Sequence, residues 1–138
     1  MDKIKIKVRA ELENIDDIFK EMPNYKELPY LSTLELAGVA ALLHNFYNGV
    51  ENILKQISLS KGLKATEGKS WHKELLNTAE NNKIISNKLK IELGSYLAFR
   101  HYFSHAYALD LYADKMEPLV EKSESVYNEF KNSINDFV

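Results

Sequence analysis

Apolar residues recur at steps of three and four along nearly the whole 138-residue chain. This spacing places them on one face of an α-helix, whereas a half-buried β-strand would require alternation. The longest such run consists of Val39, Leu43, Phe46, Val50, Ile53 and Ile57. Of the 5 glycines and 3 prolines, Pro23, Pro29, Gly62 and Gly68 lie between the periodic runs. The pattern therefore predicts an all-α fold, a bundle of about five helices around a shared core.

The breaks between the periodic runs mark the approximate limits of the five predicted helices. These limits are residues 4–22, 32–58, 70–79, 86–109 and 114–137. Ser32 and Glu35 have the spacing of a capping box, and so do Asp114 and Glu117. Ser70 is a candidate N-cap of the third helix. A chain of this length is expected to form one domain, spanning residues 1–138.

The composition excludes several classes of protein. A formal net charge of -2 argues against a strongly basic coat for nucleic acid, although a few arginines on one face can still bind phosphate. The chain has no cysteine, so it has neither disulfides nor thiolate metal sites. The N-terminus lacks an apolar signal core, and the run LELAGVAALL is too short to span a bilayer. We therefore expect a soluble, cytoplasmic protein without membrane contact.

The fourth predicted helix carries a polar stretch, FRHYFSHAY, at residues 99–107. The apolar seam of this helix runs through Leu89, Leu93, Tyr96, Arg100, Phe103 and Tyr107. Arg100 thus occupies a position that the pattern reserves for an apolar side chain. Because a buried, unpaired charge is strongly destabilising, Arg100 must pair with a carboxylate such as Glu51, reach a solvated cleft or bind an anion.

A second stripe of the same helix combines small residues with imidazoles. It consists of Gly94, Ala98, His101 and His105. The small residues would let another helix approach closely, and a two-fold dimer formed on this face would bring two copies of each histidine together. His101 and His105 supply only half of a tetrahedral zinc site, and HYFSH lacks the glutamate of the HExxH motif. On spacing alone, a structural ion pair and an interface histidine remain the commoner interpretation, and His44 and His72 are interpreted as structural or solvated.

An arginine, a histidine and nearby hydroxyls suit the cleavage of RNA. The ribose 2′-hydroxyl is an internal nucleophile, so the reaction needs no bound metal. It needs a proton-transfer group that titrates near neutrality, which is the property of histidine. It also needs a fixed cation for the charge that develops on the phosphate oxygens, and the planar donor fork of arginine supplies one.

The spacing of Arg100, His105 and Tyr107 resembles the Arg-x4-His-x-Tyr motif of HepT toxins, within the wider HEPN superfamily. His101 matches the polar residue that often follows the arginine in that superfamily. The segments LHNFYNGVENILKQI and SWHKELL also look like the corresponding parts of HepT-like proteins, so the resemblance covers roughly residues 30–110. The motif, the central helix and the WHKELL segment occur in the expected order.

This resemblance implies a HEPN helical bundle that forms a homodimer, with the motif helices facing each other across a cleft. The implied activity is that of a metal-independent endoribonuclease toxin without a cofactor. Arg100 would bind and stabilise the scissile phosphate of the RNA, and His105 would transfer a proton. His101 and Ser104 would shape the site.

The resemblance also implies a protein partner, an MNT-type nucleotidyltransferase antitoxin. This enzyme would silence the toxin by transferring AMP from ATP to Tyr107, and Tyr112 is a further possible acceptor. The adenylate would place bulk and negative charge beside the cationic phosphate site. The alternative within the superfamily is a non-catalytic module that binds a nucleotidyltransferase or its nucleotide.

Overall fold

The structure, a computed structural model, describes residues 2–63 and 71–138. Within these ranges it contains five α-helices and no β-strand, as the apolar periodicity predicted. The helices are α1 (Asp2–Glu21), α2 (Thr33–Ser60), α3 (Trp71–Asn81), α4 (Asn87–His105) and α5 (Ala113–Ile134). Short 3-10 helices occupy Tyr25–Tyr30, Ala108–Asp110 and Asn135–Phe137. In the described ranges, no helix is both long and apolar enough to cross a membrane.

Helix α2 forms the centre of the bundle and packs against each of the other four α-helices. Its apolar seam is buried as predicted, and several of its side chains are fully buried. These include Phe46, Tyr47, Val50, Ile53, Leu54 and Ile57. α1 crosses α2 closely at Gly49, where a Cβ atom would lie 2.8 Å from the side chain of Ile15. Burial of this central seam is the main driving force for forming the bundle.

Local sequence signals determine the start of α2. The Ser32 side chain accepts a hydrogen bond from the backbone N–H of Glu35 at 3.1 Å. In return, the Glu35 carboxylate accepts one from the backbone N–H of Ser32 at 2.9 Å. The predicted capping box is therefore confirmed. The candidate N-cap of the third helix, Ser70, lies outside the described residues.

The second predicted capping box is wrong. α5 begins at Ala113, and its N-cap residue is Tyr112, which makes no side-chain capping bond. Asp114 therefore lies inside the first turn, where an acidic side chain interacts favourably with the helix dipole. The start of α5 therefore has no capping side chain, and Leu111, two residues before it, is buried.

The fourth helix ends at His105, four residues before the predicted end near Leu109. Ala106 is extended, and the chain then turns through the 3-10 helix Ala108–Asp110. The hydroxyl of Tyr102, on the last turn of α4, donates to the backbone carbonyl of Asp110. This bond and the burial of Leu111 hold the chain in a turn that a longer helix would not permit. Tyr107 consequently lies beyond the helix and not on its apolar seam.

Candidate functional site

Arg100 lies half-buried on the side of α4 that faces α2. The two helices are antiparallel, because Arg100 contacts Asn48 while Phe103, further along α4, contacts His44, earlier on α2. The Nε of Arg100 donates to Oδ1 of Asn48 at 3.2 Å. Among the residues that the structure describes, no carboxylate pairs with Arg100. The charge of Arg100 is thus held in place without being neutralised by an acid in that part of the chain.

Glu51, the carboxylate that we considered as a partner for Arg100, is engaged elsewhere. Its Oε2 accepts a hydrogen bond from Nδ1 of His72 at 2.8 Å, which joins α2 to α3. The Glu51 side chain is only 4% exposed and that of His72 18%. Tyr47 is buried next to these charges, and burial in particular raises the pKa of its hydroxyl, so it remains protonated. Of the alternatives considered for Arg100, an ion pair with Glu51 is therefore not the one that the structure shows.

His44 contacts Asn48, the residue that accepts the hydrogen bond from Arg100. Its Nε2 lies 3.1 Å from Nδ2 of Asn48, one helical turn along α2. Its ring packs against that of Phe103, with the ring centroids 5.0 Å apart. Burial, followed by the positive charge of Arg100, lowers the pKa of His44, whereas the charge of Glu51 acts in the opposite direction. The neutral imidazole is therefore favoured beside Arg100.

The two histidines of the motif lie on the surface of α4. His101 and His105 are both exposed, and their ring centroids are 4.6 Å apart. In the described ranges, no hydrogen bond joins either ring to the guanidinium of Arg100. In those ranges, no three histidine, aspartate or glutamate side chains are grouped so that they could hold a metal ion. The fold thus places Arg100 and His105 about one and a half helical turns apart on α4, without a hydrogen bond between them in the described ranges.

The three candidate residues with a hydroxyl group differ in their exposure and in the hydrogen bonds that the hydroxyl makes. The Oγ of Ser104 donates to the backbone carbonyl of Arg100 at 2.9 Å, so this donor points back along the helix. Tyr107 is 80% exposed and lies two residues after the end of α4. Tyr112 is 52% exposed, and its hydroxyl donates to the Asp110 carboxylate at 3.2 Å. This hydrogen bond raises the pKa of Tyr112. Tyr107 is therefore the more accessible of the two tyrosines.

The small-residue stripe of α4 borders a shallow apolar groove between α3 and α4. Its lining includes Leu76, Ile91, Gly94, Leu97 and Ala98. A Cβ atom added at Gly94 would meet no atom within 4 Å, so no described element of this chain packs closely on the stripe. Ile91 is 65% exposed at its edge. The face on which the sequence predicted a close helix contact is therefore uncovered by the described part of the chain.

The contacts of Arg100 with α2 were missed by the sequence analysis. The sequence places His44 and Asn48 on one polar stripe of α2, and it predicts His44 and His72 to be structural or solvated. A signal was available, because His44 and Asn48 are four residues apart and therefore neighbours on α2. Nothing in the sequence, however, indicated that Arg100 would contact this stripe across 52 positions of the chain.

Comparison with known proteins supports the resemblance that the motif indicated. The model of a family described as HepT-like protein matches residues 38–138, which is most of the chain. No curated protein and no solved structure matches it. The matched region contains α2 after its first turns and all of α3, α4 and α5, and thus every site residue described above. The chain therefore belongs to the family of HepT-like proteins.

Proposed function

We propose that the protein is a metal-independent endoribonuclease toxin of a toxin–antitoxin pair. The observation that carries this proposal is the state of Arg100. Its guanidinium is half-buried in a helix interface, and its partner among the described residues is a neutral amide. A cation held in this way is suited to an anionic ligand such as a phosphodiester.

In the proposed reaction, the 2′-oxygen of a ribose attacks the adjacent phosphorus. The new bond forms as the bond from phosphorus to the 5′-oxygen of the next nucleotide breaks, which leaves a 2′,3′-cyclic phosphate and a 5′-hydroxyl. One imidazole accepts the proton of the 2′-hydroxyl, and another proton is given to the departing 5′-oxygen. Arg100 stabilises the negative charge that develops on the phosphate oxygens.

A homodimer would supply both proton-transfer groups. The uncovered groove next to Gly94 and Ala98 is a suitable surface for a second copy of α4. Two-fold symmetry would then place two His105 side chains and two Arg100 side chains along one cleft. In this arrangement His105 of one protomer acts as the base while the partner subunit's His105 acts as the acid.

Tyr107 is the proposed site of silencing by a nucleotidyltransferase antitoxin. Its oxygen would attack the α-phosphorus of ATP, with release of pyrophosphate and the phenolic proton. The side chain is 80% exposed and lies two residues after His105, so a modifying enzyme can reach it. The attached adenylate would carry negative charge into the cleft and exclude RNA.

The test is RNA cleavage in EDTA by protein produced without the antitoxin and shown by intact mass to be unmodified. We expect the rate to fall by about 10²–10⁴ in His105→Ala and by about 10²–10³ in Arg100→Ala. The matched control is Arg9→Ala, because Arg9 is the only other arginine and is exposed on α1. Equal cleavage by wild type and His105→Ala, or no cleavage by any of these proteins, would overturn the proposal.

The second candidate function is phosphate binding without turnover, as a partner of a nucleotidyltransferase. The observation in its favour is that no hydrogen bond links Arg100 and His105 within the described chain. This function predicts a stable complex with the nucleotidyltransferase and no growth defect on expression. Toxicity that is abolished by Arg100→Ala would rule it out.

A further inference from the structure

We propose that Asn48 is a positioning residue for Arg100, and that His44 sets the orientation of the Asn48 amide. This inference rests on the proposed function, since it assigns Arg100 a phosphate ligand. It adds two residues of α2 to a site that would otherwise lie on α4 alone. Neither residue is expected to touch the reacting atoms, so both act through Arg100.

The donor and acceptor roles in this chain of contacts follow from the chemistry of the groups. A guanidinium can only donate, so the oxygen of the Asn48 amide must face Nε of Arg100, 3.2 Å away. The amide nitrogen then faces Nε2 of His44 at 3.1 Å and donates to it. An imidazole nitrogen that accepts carries no proton, so the proton of neutral His44 lies on Nδ1.

Both ends of this series of side-chain contacts lie at α4. Arg100 is one end, and the other is the ring of His44, which packs on Phe103 less than one turn further along α4. The intervening His44 and Asn48 lie one turn apart on α2. The side chain of Arg100 is therefore braced between two packed helices and is ordered before any ligand binds, which lowers the entropy lost on binding.

The choice of an amide at position 48 has a chemical consequence. A carboxylate would also accept from Nε, but its negative charge would compete with the phosphate for Arg100. Asn48 accepts the hydrogen bond and leaves the charge of Arg100 intact. It also occupies Nε, so the four N–H groups on Nη1 and Nη2 remain for the oxygens of a phosphodiester.

A first experiment tests the positioning contact without using activity. Arg9 and Arg100 are the only arginines of the chain, so an NMR spectrum of the arginine Nε–H groups contains two signals. Arg9→Lys assigns them. We expect the Arg100 signal to be protected from solvent exchange in the wild type and in Asn48→Asp, and to lose this protection in Asn48→Ala. An Arg100 signal that is equally protected in Asn48→Ala would overturn the proposal, whether or not the protein cleaves RNA.

A second experiment measures kcat and KM for RNA cleavage with the same proteins. We expect Asn48→Ala to lower kcat/KM by about 10–100-fold, because Arg100 is no longer held in place. We expect Asn48→Asp to raise KM by about tenfold or more while the protein stays at least as stable, because an added carboxylate competes with the phosphate. His44→Leu should lower kcat/KM more than His44→Gln, because glutamine retains an acceptor for the Asn48 amide.

The matched control is Asn45→Asp, which adds the same charge at an exposed position of α2. If Asn48→Asp and Asn45→Asp have the same KM, a carboxylate at position 48 does not compete with the phosphate, and the reason given for an amide there is wrong. If Asn48→Ala keeps the kcat/KM of the wild type, Asn48 has no positioning role. If wild type and Arg100→Ala cleave RNA at the same rate, the proposed ribonuclease function is wrong. The NMR result still decides whether Asn48 positions Arg100.

Discussion

Nδ1 of His72 lies 2.8 Å from Oε2 of Glu51, and this hydrogen bond joins α3 to the centre of the bundle. The imidazole of His72 supplies a hydrogen-bond donor to the buried carboxylate of Glu51. This hydrogen bond also explains why Arg100, which faces the same region of α2, is left with a neutral partner. Glu51 is bonded to His72, and Arg100 is bonded to the neutral amide of Asn48. The positive charge of Arg100 therefore remains available to a ligand.

The first prediction concerns the stability provided by this contact. His72→Ala removes the donor and leaves the carboxylate of Glu51 buried, so we expect the free energy of unfolding to fall by about 1–3 kcal/mol. Adding Glu51→Gln should recover part of this loss, because a neutral amide is easier to bury. Urea unfolding measures both. As a control, Lys20→Ala breaks the exposed pair with Asp17 and should leave the stability unchanged within error. This explanation would be contradicted if the double variant lost more free energy of unfolding than the two single variants lose together.

The second prediction compares two glycines of α2. Gly38→Ala should stabilise the protein by about 0.5–1 kcal/mol, because alanine favours the helix and a Cβ atom at this position meets nothing within 4 Å. Gly49→Ala should leave the protein about 1–3 kcal/mol less stable than Gly38→Ala, because its Cβ atom would lie 2.8 Å from Ile15. Thermal unfolding of the two variants provides the comparison. An equal gain in both would show that α1 does not pack closely on α2.

The third prediction concerns pH and His44. Burial and the charge of Arg100 lower its pKa in the folded protein, and the opposing charge of Glu51 does not cancel this effect. An unfolded chain would bind the proton near the ordinary pKa of about 6.5. Below that pH the unfolded state holds more protons, so the free energy of unfolding decreases as the pH falls from about 6.5 towards the lowered pKa.

His44→Gln removes this titration while the other histidines remain. We therefore expect the loss of stability between about pH 7.5 and 5.5 to be smaller in His44→Gln than in the wild type. Urea unfolding at both pH values measures the difference. The same pH dependence in the two proteins would mean that His44 is not held in its neutral form by the fold.

The fourth prediction assigns the modification site. With the nucleotidyltransferase partner and ATP, we expect the wild type and Tyr112→Phe to gain the mass of an adenylyl group and Tyr107→Phe to gain none. Tyr107 is the more exposed, and the Tyr112 hydroxyl is bonded to Asp110. Intact mass spectrometry measures the modification. Adenylylation of Tyr107→Phe to the level of the wild type would exclude Tyr107 as the main acceptor.

The fifth prediction concerns Ser104. Its hydroxyl donates to the carbonyl of Arg100 within the helix and is not directed at a ligand in this structure. We therefore expect Ser104→Ala to retain RNA cleavage within about threefold of the wild type, in contrast to the loss expected for Arg100→Ala. A loss in Ser104→Ala comparable to that in Arg100→Ala would instead place this hydroxyl in the reaction.

Features that depend on neighbouring residues could be predicted from the sequence. The five helices follow from the spacing of apolar residues, and the start of α2 follows from Ser32 and Glu35, which bond to each other across one turn. The anomaly of Arg100 was also visible, because it interrupts an apolar seam. In each case the information lies within one or two helical turns, where spacing translates directly into geometry.

Only the tertiary structure decided where α4 ends and what holds Arg100. No glycine, proline or asparagine follows His105 in the next six residues, so the helix lacks a local stop signal. Its end depends on the contact of Tyr102 with Asp110 and on the burial of Leu111. Likewise, the contact between Arg100 and Asn48 joins residues 52 positions apart. Such contacts depend on which helix faces meet when the core forms, and helical periodicity within one segment does not contain that information.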